Sequence, residues 1–329
     1  EVVDGVRVLR LPGLRSQPDR STTGEQIVFM LSAALLGLWR VRRLRPDGVL
    51  AFFGAPSGVA AWFWSYFLRL PYLVSLRGGD VPGFRPYDFA RQHRLLGPLL
   101  RHVWRRAGAV VANSEGLRAL GLAFEPQVAI QVIPNGVDLE SFSPGERSWE
   151  PPRLLFVGRI VYQKGLDLLF SALAQSKIKG WRLTLAGDGP RLEQLRQQAK
   201  ALGIEGQVQF LGWQSRERLP ELYRQANLFV YPSRHEGMPN AVLEAMASGL
   251  PVLATRIAGN EELVSEGTGI LAPPEDAAAL AAALRTLLAD PKLRRRLGAA
   301  ARKRVAEAYS WPRVAQAYLQ LMRKIAGQS

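Results

Sequence analysis

The chain of 329 residues contains no cysteine, which excludes structural disulfides, thiolate metal sites and cysteine nucleophiles. Histidine is nearly absent as well. The three present, His93, His102 and His235, have no metal-ligand spacing among them. No Asp-x-Asp pair occurs, and Asp138-x-Glu140 reads as part of a turn. Acidic residues are scarce, 28 against 43 Lys plus Arg, and the resulting net charge of +15 attracts polyanions, whether nucleic acid, an anionic membrane face or phosphate-bearing substrates. An uninterrupted apolar span is missing too. The longest uncharged run, 21 residues between Asp47 and Arg69, carries Gly54, Ala55, Pro56, Ser57 and Gly58 in its middle. That turn cluster divides it into a strand, a loop and an aromatic helix. The opening residues, EVVDGVRVLRLPG, are acidic and mixed rather than a leader pattern, so a cytoplasmic setting is the expectation.

What is present is the mixture of an ordinary globular protein, 47% hydrophobic and 22% charged, at a length that favours two cores. Short apolar runs bounded by turn residues alternate with longer helical patterns, which predicts an α/β fold of parallel βα units. Strands are expected at Val6–Leu9, Val49–Phe53, Tyr72–Leu76, Ala109–Ala112 and Val128–Ile133. Helices are expected at Gly24–Arg45, Val59–Arg69 and Phe89–Arg106, and after the N-cap pair Asn113-Ser114. Turn-formers at Ser143–Glu146 and Glu150–Pro152 break the pattern. A second series follows, with strands at Leu154–Val157, Arg182–Ala186, Val208–Leu211, Leu228–Tyr231 and Val252–Ala254, then long helices from Asp276. This divides the chain into a domain over 1–145, a second over 151–308 and a closing helix over 309–329 that crosses back to the first. The basic cluster from Lys292 to Arg304 reads as a solvated helix face or, alternatively, as a membrane or nucleic-acid patch.

Two constellations look chemical. Arg159 and Lys164 fall between the end of one strand and the start of the next helix, where open α/β sheets bind ligands and helix amino termini favour anions. A phosphate-bearing ligand satisfies both cations; two exposed basic residues on a loop is the other reading. In PSRHEGMPNAVLEAMASGLPVLA, Glu236 lies in a loop and Glu244 is the only charge on a helix expected from about Pro239 to Ser248, with Gly249 as its stop. A buried carboxylate needs a cation or hydroxyl donors, and vicinal sugar hydroxyls suit it; an internal Glu–Arg pair is the alternative. The Gly187-Asp188-Gly189 loop is either ligand-facing or a simple turn.

At this point the sequence resembles the family 4 glycosyltransferases of the GT-B fold. The similar segments are VIPNGVD (132–138), LLFVGRIVYQKGLDLL, LTLAGDGPRLEQL, VQFLGW, PSRHEGMPNAVLEAMASGLPVLAT, EELVSEGTGILAPPEDAAALAAAL and YSWPRVAQAYLQL, which together cover almost everything from Gln131 onward. The amino-terminal half is similar through RPDGVLAFFG, LPYLVSLRGGDVPGF and AVVANSEGLRALG. The resemblance implies two Rossmann-like domains facing a cleft. It also implies transfer, with retention, of a sugar from a nucleotide diphosphate donor to a glycan or lipid-linked acceptor, without a metal or other cofactor. Arg159 and Lys164 would hold the diphosphate beside Gly158 and Gly187. Glu244 would bind the ribose, and Glu236 the donor sugar, helped by the backbone of Gly237, Met238, Pro239 and Asn240.

Two departures qualify this. Leu76-Arg77-Gly78-Gly79-Asp80 carries Arg77 where many members have a histidine, so Arg77 and Asp80 become acceptor-side candidates, with Arg77 unable to shuttle protons at neutral pH. The Asp4–Val8 segment arrives almost at once, before the βα units that precede it in the family, so the first domain is expected to be amino-truncated and poorly active. An inactive transferase-like chain and a basic membrane- or nucleic-acid-binding protein are the rival readings. The absence of base-stacking aromatics among the basic residues argues against nucleic acid. Trp62, Phe63, Trp64, Tyr66 and Phe67, near Arg69 and downstream of Arg40, Arg42 and Arg43, point either to an anionic membrane surface as a further partner, with the protein peripheral on the inner membrane face, or to a buried helix.

Overall fold

Apolar runs of four or five residues become buried parallel strands, and the periodic segments between them become helices that cover the sheets. The computed structural model describes residues 1–3, 5–14, 16, 22–84 and 86–327, with side chains at all of these but 23 and 86–92. Two units divide it, one of Glu1–Ile133 with Gln316–Ser329, the other of Pro134–Ala315.

The first unit opens with β1 (Val2–Val3) and β2 (Val6–Arg7), then runs α1 (Thr23–Leu44), β3 (Val49–Phe52), α2 (Ser57–Leu68), β4 (Tyr72–Leu76), α3 (Pro86–Arg106), β5 (Ala109–Ala112), α4 (Glu115–Phe124) and β6 (Ile130–Val132). Strands β3-β4-β5-β6 form a parallel sheet in that order. Every residue of β4 is buried, which explains a strand without polar alternation. Local signals set the helix starts. Thr22 and Glu25 make a reciprocal capping box on α1, and the Ser114 hydroxyl accepts the Leu117 N–H at the start of α4. The uncharged run of residues 48–68 folds as strand, turn and helix, and among the described residues no helix is long and apolar enough to cross a membrane. One expected strand is corrected. Val6 and Arg7 pair antiparallel with Val3 and Val2 in a separate hairpin instead of joining the parallel sheet; Asp4 lies outside the described residues.

The second unit contains β7 (Arg153–Val157), α5 (Leu166–Ser176), β8 (Arg182–Ala186), α6 (Leu192–Ala201), β9 (Val208–Gly212), α7 (Leu219–Gln225), β10 (Leu228–Tyr231), α8 (Asn240–Ala247), β11 (Val252–Thr255), α9 (Ala258–Glu261), β12 (Gly269–Ala272), α10 (Ala277–Ala289) and α11 (Pro291–Ala308). The last helix, α12 (Trp311–Ala326), begins here and finishes in the first unit. The sheet order is β12-β11-β10-β7-β8-β9, all parallel. The chain therefore winds outward from β7 in one direction and from β10 in the other. The two connections leave the adjacent carboxyl ends of β7 and β10 on opposite sides, which opens a crevice at that switch point.

The domain boundary differs from the expected one. Residues 134–150, rich in turn-formers, pack with the second unit because their polar groups find partners there. Asn135 Nδ2 donates to Met238 O and Asn240 Oδ1, Phe142 lies edge-on to Tyr223, and Arg147 donates to Ala226 O and Ser248 O. The closing helix divides later than expected. Val137 and Ser310 bridge within the second unit, whereas the Tyr318 and Ser75 hydroxyls bond at 2.8 Å within the first. The basic cluster is not a uniformly solvated face either. Arg294 is fully buried, donating to Leu287 O, Leu288 O, Trp149 O and Glu150 Oε1. Arg302 and Arg304 donate to carbonyls at Leu139, Phe142, Ala247 and Glu262. Leu287, Leu288, Ala247 and Glu262 lie at helix ends, where the cations serve as caps, while the Leu139, Phe142 and Trp149 carbonyls belong to the 134–150 segment.

Candidate active site

Gly158 leaves β7 where Gly187 leaves β8. A Cβ on Gly187 would stand 1.8 Å from the Gly158 carbonyl oxygen, so only glycine lets these two backbones approach. The chain then makes one tight turn, Tyr162–Lys164, closed by Gly165 at φ +63°. A side chain at Gly165 would also strike the Pro232 carbonyl. This contact presses the post-β7 loop against the post-β10 loop.

The pressing has a chemical result. Lys164 Nζ donates to Glu236 Oε1 at 2.6 Å and to the Tyr231 hydroxyl at 2.5 Å, and the two charged side chains are only 11% and 10% exposed. Gln163 Nε2 donates to His235 O, and Arg234 N–H to Gln163 O, so the two loops are laced along their length. Arg234 adds a bidentate grip on Asp167 at 2.9 Å and an ion pair with Glu275, with its guanidinium 3.9 Å over the Tyr162 ring. Although burial alone would weaken its proton, hydrogen bonds to these two carboxylates hold Arg234 more firmly protonated than usual.

Glu244 stands on α8, as the helical pattern predicts, and Gly249 at φ +71° follows the helix end. Its Oε2 accepts the Tyr223 hydroxyl at 2.9 Å. Burial pushes its carboxyl above the usual range, opposed by that hydrogen bond and by the Arg216 charge. The internal Glu–Arg pair considered from the sequence does not form among the described residues; a tyrosine takes that place. Glu236 and Glu244 both act on the Tyr231 hydroxyl, which lies within electrostatic reach of each. Met238 is buried, and Asn135 ties Met238 and Asn240 together, its own N–H meeting the Met238 sulfur at 3.2 Å. Gly237 is fixed from the other side by Gly259, where a Cβ would stand 2.3 Å from its carbonyl oxygen. Pro239 directly precedes α8. Arg159 is exposed, at the edge of the group and not among the laced side chains.

Sequence reasoning missed Tyr231, Tyr223, Asn135 and Arg216. The first ends a strand whose residues all read as core, and Asn135 lay within the VIPNGVD segment without an assigned role. Among the described residues no three Asp, Glu or His side chains group as a metal site requires.

Arg77 and Asp80 belong to the first unit. Asp80 is buried and accepts the N–H groups of Gly54, Arg77 and Gly78 at 2.7, 3.0 and 2.9 Å. Its carboxyl is nevertheless raised, because burial outweighs those bonds. It therefore shapes the turn that presents Arg77. The Arg77 guanidinium lies 4.6 Å over the Phe52 ring and 3.5 Å from the Tyr318 hydroxyl. A cavity of about 1020 Å³, bounded in part by Phe53, Asp80, His93 and Leu100, adjoins this turn.

The same architecture occurs in the sucrose-phosphate synthase of Thermosynechococcus elongatus, with a TM-score of 0.86 at 26% identity over 100% of this chain and 86% of that one. It occurs again in the Anabaena HepE protein solved with UDP, with a TM-score of 0.75 at 21% identity over 89% of this chain and 84% of that one. The fold is thus that of the GT-B glycosyltransferases. In sequence, residues 1–136 match the glycosyl transferase 4-like domain and residues 140–304 match the glycosyl transferases group 1. A glycogen synthase of Mycobacterium tuberculosis is 36% identical over 98% of this chain and 81% of its own length. A sulfoquinovosyl transferase of Arabidopsis thaliana is 31% identical over 93% of this chain and 61% of its own. The chain belongs to the group 1, family 4 glycosyltransferases.

Proposed function

We propose that this glycosyltransferase takes its sugar from a nucleotide diphosphate donor held by the second unit and transfers it with retention, without a metal, to a glycan or lipid-linked acceptor met by the first. The observation that carries the donor assignment is the desolvated Lys164–Glu236–Tyr231 group at the carboxyl ends of β7 and β10. A buried ammonium there stabilises negative charge as it develops on the departing diphosphate, and being fixed beforehand it needs no reorganisation during the reaction. Arg159, exposed at the rim, supplies a second cation, and Gly158 and Gly187 allow close approach of the phosphates to the backbone. The Glu244 carboxylate accepts the ribose hydroxyls. Glu236 accepts from the donor sugar, with the backbone of Gly237–Asn240 around it. Arg77 meets the acceptor. Donor binding is tested by thermal shift with a panel of nucleotide sugars followed by product analysis. A rise in melting temperature with one donor and formation of a product that keeps the donor's anomeric configuration support the reading, and no shift with any donor overturns it.

For the first unit we propose contact with an anionic membrane face. Trp39 is half-exposed with the Arg43 and Arg40 guanidiniums 3.8 and 5.0 Å from its ring, and Tyr66 and Phe67 are exposed on α2, which packs against α1. Aromatic and basic groups together suit a headgroup layer. Flotation with phosphatidylglycerol but not phosphatidylcholine vesicles is expected, and equal behaviour with both removes this partner.

A further inference from the structure

Tyr231 is buried to 3% exposure, with its ring between Phe156 and Phe229, centroids 5.9 and 5.8 Å away and both rings within 20° of parallel. Packing alone would be satisfied by an apolar side chain, and a hydroxyl taken out of water costs free energy unless it is bonded. This hydroxyl is bonded to the cation of a buried ion pair. It accepts from Lys164 Nζ, which also donates to Glu236. Three side chains from two loops and a strand end thus meet at one ammonium, which also lies 4.8 Å from the centre of the Tyr231 ring.

We propose that Tyr231 is a positioning residue that acts through Lys164: its hydroxyl holds the ammonium at the diphosphate position and leaves one of three N–H groups for a phosphate oxygen. The proposal rests on the donor-site reading above. A lysine on a four-carbon stem otherwise loses rotamer freedom when it clasps an anion, and a lysine already fixed does not lose it then. Burial first, and the Glu236 charge second, push the phenol well above its ordinary range. It therefore remains a neutral donor throughout the working pH range.

The test is calorimetric titration with inorganic pyrophosphate, which needs no knowledge of base or sugar, on the parent chain, Tyr231→Phe, Lys164→Ala and the double variant. Phenylalanine keeps the stacked ring and deletes only the hydroxyl. Its Kd is expected to rise about tenfold, the cost of ordering one long side chain at the moment of binding. Lys164→Ala is expected to lose more, and the double variant to match Lys164→Ala. A Tyr231→Phe loss that persists undiminished in the Lys164→Ala background assigns Tyr231 a merely structural role and overturns the proposal. So does Tyr231→Phe binding like the parent while Lys164→Ala is weakened. If Lys164→Ala binds like the parent, or the parent does not bind, the donor-site reading itself fails. Should Tyr231→Phe not fold, Tyr231→Leu, which also deletes the hydroxyl, carries the same comparison.

Discussion

Replacing Lys164 by methionine keeps the stem of the side chain and removes its charge, which leaves the Glu236 carboxylate buried without its cation. Breaking a buried pair in this way costs about 3–5 kcal/mol. The Tyr231 hydroxyl, which shares Lys164 with Glu236 in the parent, is then free to turn its O–H to the carboxylate, and a hydrogen bond to a charged group returns roughly 1.5–3 kcal/mol of that. The net loss is therefore on the order of 2 kcal/mol. In a unit of about 180 residues each kcal/mol moves the melting temperature by roughly 2–4 °C, so the second unit should melt about 4–8 °C lower. Adding Glu236→Gln removes the stranded charge and should restore the melting temperature to within about 2 °C of the parent. It should not restore transfer, because the cation that stabilises the leaving diphosphate is still missing. Turnover is expected to stay on the order of 10²-fold or more below the parent in both variants. Calorimetric melting and initial rates with the best nucleotide sugar check both arms. A Lys164→Met variant that melts like the parent would show that the pair is not desolvated as described, and a double variant that regains turnover would show that the pair is structural.

Three further outcomes follow from the same geometry. Burial raises the Glu244 carboxyl from its ordinary value of 4.5, so the folded state holds a proton that the unfolded state releases first. Stability from this group is full below the ordinary carboxylate range and falls as pH rises through the raised value. Glu244→Gln should then gain melting temperature over the parent at pH 7 and lose that gain at pH 4, while binding donor more weakly at pH 7; a gain that is the same at both pH values contradicts this. Arg294→Met, which strands the carbonyls of Leu287, Leu288 and Trp149, should destabilise the second unit by on the order of 3 kcal/mol in denaturant melts, and an unchanged midpoint would refute its capping role. Turnover should survive EDTA, and loss of activity restored by magnesium would refute metal-independent transfer.

Local order was legible in the sequence because it is written in short-range chemistry. The strands at Arg182–Ala186 and Leu228–Tyr231 coincide with their apolar runs, Ser114 caps the helix it precedes, and Gly249 follows the end of α8. The placement of Lys164 after a strand and of Glu244 on an apolar helix followed equally from spacing. Partner choice was not legible. Nothing within LFVY shows that its tyrosine meets a lysine 67 residues away; that depends on β10 pairing with β7 rather than with β9, a decision of whole-sheet packing. The basic residues of α11 look like solvent-facing charge until the ends of α8 and α10 are folded against them and supply carbonyls. Residues 134–145 read as the end of the first domain until Asn135 finds acceptors in the second unit. Periodicity and capping act over a few residues, so a sequence displays them directly. Desolvation, ion pairing and hydrogen-bond satisfaction depend on which distant groups arrive, and only the tertiary structure determines that.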